Sequence, residues 1–426
     1  MQILSVRGGA PLRGSIPVSG AKNSVLPILA ACAICRGVSV LHNCPDISDV
    51  GDTLEILRSL GCRAEQRGGT AVVDACALRG WQVPQQYAGR LRSSVLFLGA
   101  LLARTGRARI ALPGGCPLGK RPNDLHVLAL RQLGAQVAVG QHFAECRAER
   151  LHGGRICLPF ASVGATENAI LAAVGCEGET VIENAAREPE IGDLVRFLRS
   201  AGAQIGQSAG TIHIRGGTPL HGTTFTVMPD RIETATYLCA AAACGGAVEL
   251  TRTDAGTLEP VIEVLRQSGC TVARRRDTIT LASPGTLHAP GRIETAPYPG
   301  FPTDAQAIVM AALLRARGRT EFLETIFENR FRHIAELRKF GAAVTFSGRQ
   351  ARLEGVSALH GARVRAEDLR GGAALVIAAL AAEGISQIAG VKHILRGYDT
   401  LAGKLQDLGA DIKYVEIPDQ TVYNTR

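Results

Sequence analysis

A sixfold internal repeat constrains the fold of this chain more than any other feature of its sequence. The segment "LRSLGCRAE", which begins at Leu57, returns in related form five more times, at intervals of about seventy residues. Each copy has the pattern of the end of an amphipathic helix, a glycine and a short alternating strand. The glycine occupies the position after a helix where a left-handed backbone is favoured. These glycines are Gly61, Gly134, Gly202, Gly269, Gly341 and Gly409.

A second repeated element lies upstream of each of these glycines. It begins with polar residues, as in "SGAKNSVLPILAA" and "SVGATENAILAAV", and continues into a helix that is apolar nearly all round. Such a helix is buried on every side. We therefore predict an α/β fold of two domains, each with three strand–helix units that enclose buried helices within a ring of sheets. The alternative, a linear α/β array, would leave one face of each helix exposed.

The composition limits the classes of partner and the compartment. The net charge of +9 favours anionic partners. Nucleic acid fits poorly, because the chain has no lysine-rich tail or zinc-finger spacing and only 4% of its residues are aromatic. We expect a cytoplasmic protein, since the twelve cysteines come without a secretory segment or an apolar run long enough to span a membrane. The pair Cys32 and Cys35 leaves a redox or zinc role open, although no second pair accompanies it.

Basic residues stand at or near the start of four of the six apolar helices. They are Lys22, Arg92, Arg231 and Arg370. A cation at the positive end of a helix is unfavourable by roughly 0.3–1 kcal/mol, unless an anion is shared there. This placement predicts phosphate or carboxylate ligands at the helix starts. Four solvated surface side chains are the alternative.

Asp304 departs from this pattern, because it puts a carboxylate at the start of the fifth apolar helix. The helix end should lower its pKa. The local sequence allows two roles, a helix cap or a general base. The charged segment 183–190 is open as well, since it fits either a solvated face or a site at the turn between a strand and a helix.

Cys116 lies on the glycine- and proline-rich loop "ALPGGCPLGKRPNDLH", which stands apart from the repeat. Such a segment is mobile or tightly turned. Lys120 and Arg121 follow within a few residues and would stabilise a thiolate. The other cysteines have apolar or strand-like neighbours. Cys116 is therefore predicted to be the most reactive cysteine of the chain.

The ordered motifs carry a resemblance to a known family. They include "SGAKNSVLPIL", "LPGGCPLGKRPNDLH", "SVGATENA", "IENAAREPEI", "MPDRIETATYL", "FPTDAQA", "FENRFRHIAEL", "DLRGGAALV" and "HILRGYDTLAGKL". Together they resemble the UDP-N-acetylglucosamine 1-carboxyvinyltransferases, over essentially the whole chain. The resemblance implies a two-domain inside-out α/β barrel with its active site in the interdomain cleft. Residues 21–229 would form one domain, and residues 1–20 and 230–426 the other.

The resemblance also implies a reaction, the first committed step of bacterial peptidoglycan synthesis. The enolpyruvyl group of phosphoenolpyruvate passes to the 3-hydroxyl of UDP-N-acetylglucosamine, and phosphate is released. Protonation at C3 lets the hydroxyl attack C2, and a tetrahedral phospho-ketal then eliminates phosphate. The expected partners are these two small molecules, with no nucleic acid, membrane, metal or organic cofactor. Two rivals are the shikimate-pathway enolpyruvyl transferase and a nucleic-acid-binding protein on the same scaffold.

Individual roles follow from the matching motifs. The catalytic set implied is Cys116 as general acid, Asp304 as base, and Lys22 and Arg396. The phosphoenolpyruvate contacts implied are Lys22, Asn23, Arg121, Arg330, Arg370 and Arg396. The nucleotide-sugar contacts implied are Arg92, Arg121, Pro122, Asn123, Asp124, Leu125, Ser162, Val163, Gly164, Asp304 and Ile326. Departures from the family pattern at Leu395 and at Phe160–Ala161 put the nucleotide affinity in doubt.

Overall fold

The structure is a computed structural model that describes residues 1–88, 90–111 and 124–417. The described residues divide into two compact units. The first unit holds residues 20–88, 90–111 and 124–228, and the second unit holds residues 1–19 and 229–417. Three of the six sequence repeats lie in each unit. We number the apolar helices of the repeats as central helices 1 to 6 in chain order.

Three central helices and three sheets build the first unit. Central helices 1, 2 and 3 span Lys22–Cys32, Phe97–Thr105 and Val163–Ala173, and a 3-10 helix, Arg92–Leu96, leads into the second. One sheet orders Thr224–Thr226, Val38–His42, Thr70–Asp74 and Arg63–Arg67. The next orders Gln204–Ser208, Thr211–Arg215, Glu179–Glu183 and Arg155–Cys157. The last contains Arg107–Ala111, Phe143–Arg147 and Gln136–Val139.

The second unit repeats this arrangement. Central helices 4, 5 and 6 span Arg231–Cys244, Thr303–Ala312 and Leu369–Ala381, and they contact one another. One sheet orders Thr271–Arg275, Thr278–Ala282, Ala247–Thr251 and Arg13–Pro17. The next orders Arg292–Glu294, Arg319–Leu323, Gln350–Glu354 and Ala343–Ser347. The last orders Arg363–Arg365, Ile385–Ala389, Gln2–Arg7 and Asp411–Glu416.

The N-terminal strand completes the sheet of the sixth repeat. Gln2–Arg7 pairs antiparallel with two strands at once, so that Leu4 lies opposite Ile388 on one side and Tyr414 on the other. The start of the chain therefore belongs to the second unit because backbone hydrogen bonds join it to strands nearly 400 residues later. Every four-stranded sheet also has one parallel edge pair, such as Ala247–Thr251 with Arg13–Pro17.

Peripheral helices precede the repeated glycines. They span Ser48–Ser59, Asp124–Gln132, Pro189–Ser200, Glu259–Gln267, Ile334–Leu337 and Leu401–Asp407. All six glycines have φ between 88° and 104°, the left-handed conformation that the repeat predicts. Shorter helical segments are Gln85–Ala88, Val391–Ile394 and the 3-10 turns Ala255–Thr257 and Arg338–Phe340.

The central helices are buried along their lengths. In central helix 4, for example, every residue from Arg231 to Ala243 is buried. Its alanines allow close packing against central helices 5 and 6, and burying each larger apolar side chain contributes about 1.5–3 kcal/mol. The two-domain α/β fold with buried helices is confirmed, and the linear array is wrong because it would expose one helix face. Within the described residues, no helix combines the length and apolar character needed to cross a membrane.

Candidate active site

Asp304 lies in the first turn of central helix 5 and forms two ion pairs within the second unit. Its Oδ1 accepts from Nη2 of Arg330 at 3.0 Å, and its Oδ2 accepts from Nη2 of Arg370 at 3.0 Å. Both arginine side chains are 4% exposed, whereas that of Asp304 is 29% exposed. Arg330 is further fixed by donating to the backbone carbonyl of Thr303. A carboxylate that solvent can reach is thus held between two buried cations.

These arginines determine the protonation state of Asp304. Burial by itself would raise the pKa of its carboxyl, but Arg370 and Arg330 outweigh burial and hold that pKa far below its usual value. Burial would likewise lower the pKa of Arg370, and Asp304 outweighs that effect, so the guanidinium stays charged. Asp304 is therefore ionised at physiological pH. Pro302 occupies the N-cap position, so Asp304 is not the N-cap residue of this helix.

The starts of the three central helices of the second unit lie close together. Arg231 begins central helix 4, Arg370 is the second residue of central helix 6, and both act electrostatically on Asp304 of central helix 5. Asp230 and Asp368 cap the helices that carry these arginines by accepting from backbone N–H groups. Carboxylates of the chain therefore supply part of the counter-charge. The sequence predicts phosphate or carboxylate ligands at the helix starts, and these internal carboxylates already balance part of that positive charge.

Tyr398 connects Arg370 to the segment that carries Arg396. Its hydroxyl accepts from Nη1 of Arg370 at 3.3 Å and lies 2.8 Å from Oγ1 of Thr236. Tyr398 is 1% exposed, and Arg396, two residues earlier, is half-buried. The same unit contains Ile326, whose backbone N–H donates to Oε1 of Glu324 at 2.9 Å. Five of the residues assigned from the resemblance therefore lie in the second unit, namely Asp304, Ile326, Arg330, Arg370 and Arg396.

Lys22 begins central helix 1 in the first unit. Its ammonium lies 2.7 Å from Oδ2 of Asp49, and the two side chains are only 12% and 4% exposed. Asn23, the next residue, is half-buried. Ser24 then donates to Oδ2 of Asp193, which also accepts from the backbone N–H of Met228. The first turn of the helix is therefore fixed by side-chain bonds, and a buried carboxylate holds Lys22.

The remaining described candidates of the first unit lie at helix starts. Arg92 is half-buried and begins the 3-10 helix before central helix 2. Asp124 and Leu125 open the peripheral helix Asp124–Gln132. Ser162 is the N-cap residue of central helix 3, and its Oγ accepts from the backbone N–H of Ala165 at 3.4 Å. Val163 and Gly164 form the first turn of that helix. Cys116, Arg121, Pro122 and Asn123 lie outside the described residues.

Two further features of the sequence were left open, namely the pair Cys32 and Cys35 and the charged segment 183–190. Cys32 and Cys35 are buried, and burial raises the pKa of the Cys35 thiol to about 12, as expected of small apolar core residues. In the described ranges no group of three or more His, Cys, Asp and Glu side chains could hold a metal ion. In the segment 183–190, Glu183 pairs with Arg155 and Glu190 is buried, so this segment is not a fully solvated face.

Two residues that contact the candidate site residues, Asp49 and Tyr398, were not identified from the sequence. Asp49 sits in the first turn of its helix, where an acidic residue is common for electrostatic reasons alone. Tyr398 is one of six tyrosines and belongs to no charge pattern. Neither position carries a local signal, because its role depends on a partner that is distant in sequence. Asp49 and Lys22 are 27 positions apart by number, and Tyr398 and Arg370 are 28 apart.

Comparison with known proteins agrees with the motifs. The family described as EPSP synthase (3-phosphoshikimate 1-carboxyvinyltransferase) matches residues 6–405. The chain is 45% identical over 408 residues to the UDP-N-acetylglucosamine 1-carboxyvinyltransferase 2 of Caldanaerobacter subterraneus, covering 96% of this chain and 98% of that protein. It is 46% identical over 418 residues to the UDP-N-acetylglucosamine 1-carboxyvinyltransferase of Idiomarina loihiensis, covering 97% of this chain and 100% of that protein.

Solved structures show the same fold. The enolpyruvyl transferase NikO from Streptomyces tendae superposes with a TM-score of 0.89 at 28% identity, covering 98% of this chain and 99% of that chain. An EPSP synthase from Acinetobacter baumannii superposes with a TM-score of 0.75 at 21% identity, covering 98% of this chain and 100% of that chain.

Proposed function

Because this chain belongs to the EPSP synthase family, we propose that it transfers the enolpyruvyl group of phosphoenolpyruvate to the 3-hydroxyl of UDP-N-acetylglucosamine. Phosphate is the second product, and the reaction is the first committed step of peptidoglycan synthesis. The identity of 45–46% over nearly the whole length to curated UDP-N-acetylglucosamine 1-carboxyvinyltransferases is the observation that carries this proposal. The likeness to EPSP synthase at 21% identity concerns the fold alone.

The reaction requires an acid at C3, an acceptor for the hydroxyl proton and cations near the phosphate and carboxylate groups. Cys116 would deliver the proton to C3, which leaves C2 electrophilic. The 3-hydroxyl then attacks C2 and loses its proton, and a tetrahedral phospho-ketal forms. Loss of a proton from C3 and departure of phosphate restore the double bond as an enol ether. Lys22, Arg121 and Arg396 would hold the phosphoenolpyruvate anion.

The pairing of Asp304 supports a specific form of base catalysis. Arg330 and Arg370 keep its carboxylate ionised, so it is always ready to accept a hydrogen bond, but they also make it a weak base. A weak base suffices here, because the hydroxyl becomes strongly acidic as its oxygen bonds to C2. An anionic substrate that also binds Arg370 would weaken the effect of that guanidinium on Asp304 and raise the pKa of the carboxyl. Asp304 would therefore orient the hydroxyl first and accept its proton late.

Both substrates are small anionic molecules, which agrees with the net charge of +9. We also propose that the protein acts in the bacterial cytoplasm. This compartment fits the eleven described cysteines, which are not paired in disulfides.

A coupled assay of phosphate release tests the proposed function. With phosphoenolpyruvate present, the protein should release phosphate when UDP-N-acetylglucosamine is added and remain inactive with shikimate 3-phosphate. Release that depends on shikimate 3-phosphate instead would favour the rival transferase of the same fold. If phosphate release depended on neither acceptor, and the protein bound DNA or RNA with a salt-sensitive affinity, the nucleic-acid-binding alternative would be favoured.

A further inference from the structure

A buried amide joins central helix 3 to three other segments of the first unit. Asn168, in central helix 3, is 0% exposed. Its Oδ1 accepts from the backbone N–H of Gly99 at 2.7 Å, and its Nδ2 donates to the backbone carbonyl of Val95 at 3.2 Å. The same Nδ2 lies 3.1 Å from Nδ1 of His126. Asn168 therefore links central helix 3 to central helix 2, to the 3-10 helix before it and to the peripheral helix that carries His126.

These bonds determine the tautomer of His126. The amide of Asn168 cannot be flipped, because its oxygen must accept from the N–H of Gly99. Its nitrogen only donates, so Nδ1 of His126 must accept and carries no hydrogen. In the neutral ring the proton then resides on Nε2. Burial and the nearby charge of Arg92 lower the pKa of His126 to about 4, which keeps the ring neutral at pH 7.

The Nε2–H edge of this ring faces the start of central helix 3. A Cβ atom added at Gly164 would lie 3.2 Å from Cε1 and 3.4 Å from Nε2 of His126, so the ring packs directly against the first turn. The residue is 7% exposed, and its Nε2 has no hydrogen-bond partner among residues 1–88, 90–111 and 124–417. In the first turn of that helix Ser162 caps the backbone N–H of Ala165, whereas the N–H groups of Val163 and Gly164 have no intrahelical partner. A neutral buried donor and a helix N-terminus thus converge, which is the arrangement that binds an oxyanion.

We propose that His126 is a further binding residue, whose Nε2–H donates to a phosphate oxygen of the nucleotide sugar at the start of central helix 3. The proposal rests on the proposed function for the identity of the ligand. Asn168 acts as the positioning residue, because it holds the ring in the tautomer that places the hydrogen on Nε2. The ring donates while staying neutral, so its contribution to binding does not depend on protonation near pH 7.

Calorimetry with three ligands tests this assignment. For His126→Phe, which keeps a ring but removes the donor, the affinities for UDP-N-acetylglucosamine and for UDP should each fall about tenfold to hundredfold, as expected for a hydrogen bond to a charged group. The affinity for uridine, which has no phosphate, should stay unchanged. His126→Gln, which retains a terminal N–H donor, should bind UDP more tightly than His126→Phe. His213→Phe, a change of an exposed histidine in the same unit, is the matched control and should bind all three ligands normally.

Other outcomes would overturn the assignment. Unchanged UDP affinity in a folded His126→Phe protein would do so, and so would an equal loss of uridine and UDP affinity, which would indicate a packing role. The wild-type protein provides a second readout, because two-bond ¹H–¹⁵N spectra of its histidines report the tautomer. A signal from His126 with hydrogen on Nδ1 would contradict the geometry. Failure of the proposed function is separate, since it would appear as absent turnover in the wild-type protein while UDP binding still responds to His126.

Discussion

Replacing Asp304 by asparagine is the most informative perturbation of the second unit. The amide has nearly the same shape as the carboxylate, but it removes the negative charge between Arg330 and Arg370, both 3.0 Å away. Removing one partner of a buried ion pair costs about 3–5 kcal/mol. The 29% exposure of Asp304 places the expected loss at the lower end, about 3 kcal/mol in the free energy of unfolding. At about 2–4 °C per kcal/mol, Tm should fall by roughly 6–12 °C.

Asp304→Asn should reduce turnover far more than substrate binding. The loss of a group that accepts a proton during the reaction lowers kcat by a factor on the order of 10² to 10⁴. The affinity for UDP-N-acetylglucosamine should change much less, because an amide oxygen still accepts from the 3-hydroxyl. The assay is phosphate release for kcat, calorimetry for affinity and thermal unfolding for Tm. Asp277→Asn, which changes an exposed aspartate of the same unit, should alter none of these.

The pH dependence gives an independent test of the ion pairs. The pKa of Asp304 is lower in the folded protein than in the unfolded chain. Its stabilisation is therefore fully present at neutral pH and is lost as the pH falls below about 4. The difference in stability between the wild type and Asp304→Asn should narrow over that range. A difference that stays constant with pH would refute the ion-pair contribution to stability. Near-normal turnover in a variant with lowered Tm would refute the catalytic role and leave Asp304 as a structural partner of the arginines.

Three further predictions concern Asp49, Tyr398 and Cys116. Asp49→Asn should lower the free energy of unfolding by about 3 kcal/mol, because Lys22 loses its buried partner. The double variant with Lys22→Met should recover part of that stability, as measured by urea unfolding. Tyr398→Phe removes an acceptor from Arg370 and should lower kcat in the phosphate-release assay. Tyr237 is equally buried but donates to Glu233, so Tyr237→Phe should leave kcat unchanged. Fosfomycin, an epoxide that mimics phosphoenolpyruvate, should alkylate Cys116, and mass spectrometry that located the adduct on another residue would contradict that assignment.

Local patterns were sufficient to predict the architecture. The repeated glycines all adopt the left-handed backbone, and the apolar helices are all buried, because both features depend on the residue's own neighbours in the chain. The two-unit arrangement followed from the same pattern, since a helix that is apolar all round must be enclosed. The family resemblance then identified Lys22, Asp304 and Arg370 as candidates, which the repeat had already singled out by their charge.

The partners of those residues were decided only by tertiary structure. Arg330 and Arg370 reach Asp304 from positions 26 and 66 residues away, and Asn168 meets His126 across 42 residues. No local pattern encodes such pairs, because their geometry arises when the helix starts pack together. The sequence alone therefore identified which central helices begin with a charged side chain. The packing decided that Asp304 pairs with Arg330 and Arg370 and that Asp49 pairs with Lys22. It also decided which nitrogen of His126 carries its hydrogen.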